Sequence, residues 1–185
     1  MKHLPSPIMS PKSGQQGFTL IELVVTVALV AVLATLAFPD FSETVRQWRR
    51  DSATRALTTS LQLARSEAIK SSRKLMLCPS SDGTSCTEST EWSNGWIVFV
   101  DDGATDQAFD AGERIIQVSS AQGGIASLTS PAGVTFLQFL PNGLRAATTG
   151  TATFTVTPSG ATSATKVNKV GVSQVGRANV VTELP

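Results

Sequence analysis

The sequence predicts an α+β chain: one long N-terminal helix, then an antiparallel β domain that packs on the helix's second half. Three observations predict it. Phe18–Ala37 reads FTLIELVVTVALVAVLATLA, with Glu22 its one charge. Beyond it, to residue 74, apolar residues recur at helical spacing. From Leu75 onward the pattern changes to short runs rich in Val, Ile, Phe and Thr, divided by Gly, Pro, Asn and Asp.

The apolar run has the length of a membrane-spanning helix. At 1.5 Å per residue it covers about 30 Å, the thickness of a bilayer core. The span is set at 18–39, where Pro39 ends or kinks it. Lys2 and Lys12 precede it while Arg46, Arg49 and Arg50 follow it, so the basic residues do not fix its orientation. A secretory signal fits poorly. The run is too long, it opens with an acid, and Thr35-Leu36-Ala37 is a weak cleavage site.

Residues 40–74 are expected to continue the same helix as an amphipathic half. Phe41, Val45 and Trp48, then Leu57, Leu61, Ala64 and Ala68, mark its apolar face. Arg46, Arg49, Arg50, Arg65, Lys70, Arg73 and Lys74 fall on its polar side or at its end, where bases suit the helix dipole. Strands are expected at 75–78, 96–101, 114–118, 134–140, 151–157 and 167–175. Pro141-Asn142-Gly143 and Pro158-Ser159-Gly160 are turn signals.

The 185 residues suffice for one domain with a core plus an appendage, and 16% are charged against about 25% in ordinary soluble domains. The net charge of +1 hides segregation. Residues 40–77 hold eight bases against four acids, 78–140 hold eight acids against Arg114, and 141–185 hold four bases against Glu183. Such blocks suit ordered neighbours meeting across charged faces. His3 is the only histidine. If the N-terminus is removed, Ser-His and Cys-His nucleophiles and His-ligated metals are excluded. No enzymatic constellation and no cofactor are expected.

An acid inside an apolar span needs a partner. A chain cut before Phe18 supplies one: the new α-amino group lies one helical turn from Glu22 of a neighbouring copy or subunit. An acid in the first turn also suits the positive end of the helix dipole. Gly17-Phe18-Thr19-Leu20-Ile21-Glu22-Leu23 resembles the leader junction of type IV pilins and type II secretion pseudopilins. The resemblance implies a class III leader at 1–17, cleavage between Gly17 and Phe18 by a prepilin peptidase, N-methylation of Phe18, and Glu22 as an assembly residue. An ordinary single-span anchor is the competing reading. Leu61-Gln62-Leu63-Ala64-Arg65-Ser66-Glu67-Ala68-Ile69, with Gly95–Phe99, Asp101, Asp110, Gly112-Glu113 and Arg114, is similar to the GspH/FimT branch of minor pseudopilins.

That likeness spans essentially the whole chain. It implies a β-sandwich-like head of two antiparallel sheets over 75–185. The function it implies is a non-enzymatic minor pilin that primes or tips a type IV pilus, in the manner of FimT and FimU. The alternatives are a GspH-like pseudopilin of a type II secretion system and a DNA-binding receptor for uptake. The implied partners are other major and minor pilins or pseudopilins, the prepilin peptidase, the inner-membrane assembly platform, and lipid before assembly. The implied location is the inner membrane with a periplasmic head, then the filament.

An exported head meets an oxidising compartment, so Cys78 and Cys86 are expected to form a disulfide. Asp102, Asp106, Asp110 and Glu113 invite a calcium reading. Counted as an EF-hand loop from Asp102, however, Ala104 stands at position 3 and Gln107 at the glycine position, so the pattern fails. An acidic hairpin loop is the simpler reading. Val175-Gly176-Arg177-Ala178-Asn179 matches the start of a Gly-Arg-x-Arg element by which FimT-type proteins contact DNA, with Asn179 in place of the second Arg. Gly176 and Arg177, extended by Lys166, Lys169 and Arg145, form the candidate patch. A Gly turn with a solvent-exposed Arg is the alternative.

Overall fold

The structure, a computed structural model, describes residues 17–37, 41–105, 107–146 and 152–185. The chain divides into two compact units, Met1–Asp40 and Phe41–Pro185. The first contains helix α1, Leu20–Ala37, whose one charged residue is Glu22. The expected single helix through 74 crosses residues 38–40, which lie outside the described residues.

The second unit opens with α2, Phe41–Ser71. Among the described residues eight strands follow: β1 Leu75–Pro79, β2 Trp96–Val100, β3 Ile115–Ser119, β4 Ile125–Thr129, β5 Leu137–Phe139, β6 Ala152–Pro158, β7 Val167–Val172 and β8 Ala178–Glu183. They form two antiparallel sheets, ordered β3-β2-β1-β5 and β4-β6-β7-β8. Helix α2 packs on both.

One core fills the space between helix and sheets. Ala53, Leu57, Leu61, Ala64 and Ala68 of α2 meet Leu75, Leu77, Val98 and Phe139 from one sheet and Leu128, Phe154, Val156 and Val170 from the other. Two fully buried tryptophans find partners for their indole N–H groups, as buried indoles must. Trp96 Nε1 donates to Ser60 Oγ at 3.0 Å, and Trp92 Nε1 to the Val134 carbonyl at 3.1 Å. Alternate residues of β1 and β2 form a second cluster on the sheet's opposite face: Met76, Cys78, Ile97 and Phe99, covered by Phe109, Ile115 and Phe136. The first sheet is thus covered on both faces, and β1 and β2 are buried throughout.

The structure departs from expectation on α2. Trp48 is 66% exposed and Phe41 is likewise on the surface, so the helix buries side chains only from Arg50 onward, although Arg49 already lies against Gly124 of the head. Arg50, expected on the polar side, is buried. Its guanidinium donates to the Lys166 carbonyl and to Asp51 at 2.9 Å each, so the charge enters with its partners. Thr54 and Ser60 extend the buried face at helical spacing, each donating its hydroxyl to the carbonyl one turn back. Strands β4 and β8 were not expected, and the segment read as a strand over 134–140 is regular only at Leu137–Phe139.

Candidate functional site

Gly17 and Phe18 precede α1 outside any regular element, with Phe18 exposed. Thr19 caps the helix. Its Oγ1 accepts the Glu22 N–H at 3.3 Å, and its carbonyl accepts the Leu23 N–H at 3.2 Å. Thr19-x-x-Glu22 is the spacing of a capping box, a start signal that the sequence reading passed over. It puts the Glu22 carboxyl in the first turn, where the helix N-terminus favours negative charge. Leu20, Ile21, Leu23, Val24, Val27 and Val30 are all exposed in the single chain. A helix apolar on every side is one that is covered by lipid or by other helices in use. Among the described residues no helix is long and apolar enough to cross a membrane.

On the head, Cys78 and Cys86 are joined by a disulfide, with Cα atoms 5.6 Å apart. The bond ties β1 to a loop organised by Asp82. That carboxylate accepts the Thr84 N–H at 2.8 Å, the Ser85 N–H at 2.9 Å and the Ser85 hydroxyl at 2.8 Å. The Thr84 N–H, then the two Ser85 donors, hold its pKa far below the usual carboxylate range.

The candidate calcium residues are turned to other tasks. Glu113 accepts the N–H groups of Asp102, Gly103 and Asp110 at 2.8–3.0 Å, and Asp110 accepts that of Thr105 at 2.7 Å. Asp102 pairs with Arg73. Asp106 lies outside the described residues, among which no group of three ligand side chains converges on a metal position. The carboxylates fold the β2–β3 loop onto its own backbone.

The candidate DNA residues are only partly brought together. The β7–β8 hairpin turns at 173–177, where Ser173 N–H donates to the Arg177 carbonyl at 3.0 Å. Gly176 sits at φ +73°, and a Cβ there would lie 2.3 Å from the Gly143 carbonyl oxygen, so the turn admits only glycine. Arg177 is exposed at the tip. Lys169 shares the outer face of this ribbon but pairs with Glu183 at 2.5 Å. Arg145 is buried beneath the turn, its N–H donating to the Gln174 carbonyl at 2.9 Å. Lys166 is exposed at the far end of β7. The structure therefore separates two of the residues expected to extend the patch.

Comparison with known proteins supplies the context for these features. Residues 53–176 match the family described as type II transport protein GspH, and residues 12–38 match the prokaryotic N-terminal methylation motif. The pilin-like protein PilA1 of Thermus thermophilus is 33% identical over 171 residues, which cover 90% of this chain and 98% of that protein. Two crystal forms of the type IV minor pilin FimU of Pseudomonas aeruginosa share the fold. Their TM-scores are 0.58 and 0.55 at 21% and 22% identity, covering 75% and 73% of this chain and 94% and 96% of FimU. The first match runs from Ala53 in α2 to the β7–β8 turn, and the second spans the capped, Glu22-bearing α1: this chain belongs to the GspH family of type II transport proteins and is pilin-like.

Proposed function

We propose that this chain is a minor pilin that primes or tips a type IV pilus. The carrying observation is the N-terminus of α1: an exposed Phe18, a Thr19 cap, Glu22 in the first turn, and apolar surface on every side. Prepilin peptidase removes residues 1–17, and the Phe18 amine is methylated. Before assembly α1 rests in the inner membrane with the head in the periplasm. In the filament, Glu22 meets the Phe18 amine of a neighbouring subunit and fixes the axial register, since a buried carboxylate is tolerated only when paired. The head selects its neighbours among major and minor pilins at the assembly platform. The FimU fold likeness supports the pilus. The match to the type II transport family favours, as a second reading, a pseudopilus of a secretion system.

Two measurements test the proposal. N-terminal mass analysis should find a mature chain starting at methylated Phe18, and Gly17→Ala should block cleavage. Glu22→Ala should leave membrane insertion intact and deplete the chain from sheared pili. A mature terminus near Phe38, or normal recovery of Glu22→Ala in pili, overturns it. Deleting the pilus assembly genes rather than the secretion genes should strand the protein in the membrane. DNA contact through Arg177 is the remaining reading, supported by the exposed guanidinium at the hairpin tip. A low-salt mobility-shift titration of native and Asn179→Arg protein tests it, and no shift from either removes it.

A further inference from the structure

Strand β8 is an edge that the fold leaves open. The other three sheet edges are closed or broken by the chain itself. Glu91 bridges Thr129 and Trp92 N–H donates to the Leu128 carbonyl, which covers β4. Arg145 bridges Phe139 and Ala146 N–H donates to the Gln138 carbonyl, which covers β5. The pairing of β3 slips at Val98/Phe99, and the loop at Gly83 lies against Val118. Among the described residues, strand β8 has none of these devices. It pairs with β7 in unbroken register over Ala178–Glu183, and its one charge, Glu183, is paired with Lys169. Long, regular edges of this kind template further pairing, and proteins ordinarily guard them.

The register says which groups are free. Ser173 N–H donates to the Arg177 carbonyl, so Ser173 and Arg177 are a hydrogen-bonding pair. Antiparallel ladders alternate, so Asn179, Val181 and Glu183 also turn their N–H and C=O groups to β7. Ala178, Val180 and Thr182 turn theirs outward. The side chains of these same three residues share a face with Val172, Val170 and Asn168, all buried. Yet Val180 is 46% exposed beside a Val170 that is fully buried. The core thus stops short at this edge. Grooves of about 530 and 480 Å³ open between α2 and the two ends of β8. One lies among Gln62, Arg65, Ile69 and Arg177, the other among Glu43, Gln47, Lys166 and Thr182, where Glu43 is paired with Arg46 at 2.9 Å.

The geometry points to a missing strand: we propose that β8 receives an extended segment of a neighbouring subunit, which adds to the four-stranded sheet and covers Val180. That the donor is a neighbouring subunit rests on the filament reading above. Its chemistry follows from the edge. Arg177 is exposed at one end and Lys166 at the other, so the segment carries acids at both ends. Between them it alternates, with a β-branched apolar residue opposite Val180. A second copy joined β8 to β8 is disfavoured, because that contact is two-fold and closed, whereas subunits along a filament repeat head to tail.

Residue-resolved amide exchange on the full chain in detergent micelles tests this. Alone, Ala178, Val180 and Thr182 should exchange fast while Asn179, Val181 and Glu183 are slow. The synthetic peptide Asp-Thr-Val-Thr-Val-Thr-Val-Asp should slow the first three at least about tenfold, as edge hydrogen bonds do when an open amide becomes paired. A peptide with Lys at both ends should protect them less. Val180→Pro removes an outward N–H without touching the β7 ladder and should abolish the protection. Slow Asn179 and Val181 amides in that variant report that β8 is still formed.

No protection by the acid-ended peptide, or equal protection by the Lys-ended one, overturns the proposal. So does concentration-dependent protection without peptide, which assigns the edge to a second copy. Chain recovered in sheared pili with the three amides still fast also overturns it, while leaving the filament reading intact. Absence from pili sinks that reading, and with it the neighbouring subunit as donor, whatever the peptide does.

Discussion

Ser60 shows how much one small residue does in this head. Its hydroxyl accepts the Trp96 indole N–H where both side chains are fully buried, and donates its own O–H to the Ala56 carbonyl. Ser60→Ala leaves the indole donor without a partner, a loss of about 1–3 kcal/mol for an unsatisfied buried group. A urea midpoint measurement should show it, with unchanged slope. At Asp82 the chemistry is electrostatic. Its carboxyl is held low by the Thr84 and Ser85 donors, so the folded pKa lies below the unfolded value of about 3.9. Its contribution is therefore complete above that value and is lost as pH falls through the folded pKa. The Thr84 and Ser85 amide resonances should stay fixed from neutrality down to about pH 4 and move only in stronger acid. Movement of both near pH 6 would mean that the loop is not organised by this carboxylate. Neither residue was legible beforehand. Ser60 sits among polar neighbours in α2, and Asp82 stands in a polar stretch between the two cysteines with no pattern to mark it.

Elements were legible where apolar spacing is regular and obscure where polar residues take buried positions. Leu57, Leu61, Ala64 and Ala68 announced the inner face of α2. Arg50, Thr54 and Ser60 share it because hydrogen bonds remove the cost of their burial, and no count of apolar residues registers them. The same limit explains β4 and β8. Ile125–Thr129 carries Ala and Ser between its larger residues, and Ala178–Glu183 is exposed along most of its length. In such strands pairing, not burial, sets the conformation. For the site, Gly17, Phe18 and Glu22 stood out because a charge in an apolar run is costly, whereas the burial of Arg145 beneath the β7–β8 turn depends on contacts distant in sequence. The disulfide closes a short loop at the end of β1. Replacing Cys78 and Cys86 together by Ala should cost about 2–3 kcal/mol, the chain entropy of a loop this short. Thermal unfolding should report it, and an unchanged melting temperature would show that the Asp82 network holds the loop unaided.

At the scale of the whole molecule, the unit Phe41–Pro185 has a core of its own among the described residues. Residues 41–185 should therefore fold without α1, giving a cooperative melt and no thiol reactive under denaturing, non-reducing conditions. A non-cooperative melt or two reactive thiols would contradict this. The placement of the aromatic residues has an optical consequence. The chain has no tyrosine, so its ultraviolet emission comes from three tryptophans. Trp92 and Trp96 are sealed in the core, while Trp48 stands in solvent on the first turns of α2. Iodide should quench one emitter of the three, the red-shifted one, and Trp48→Phe should remove the quenchable fraction and move the spectrum to the blue. The native chain thus carries two dyes without labelling: a buried pair that reports whether the head is folded, and a single surface fluorophore whose colour reports what has come to rest against the helix beside it.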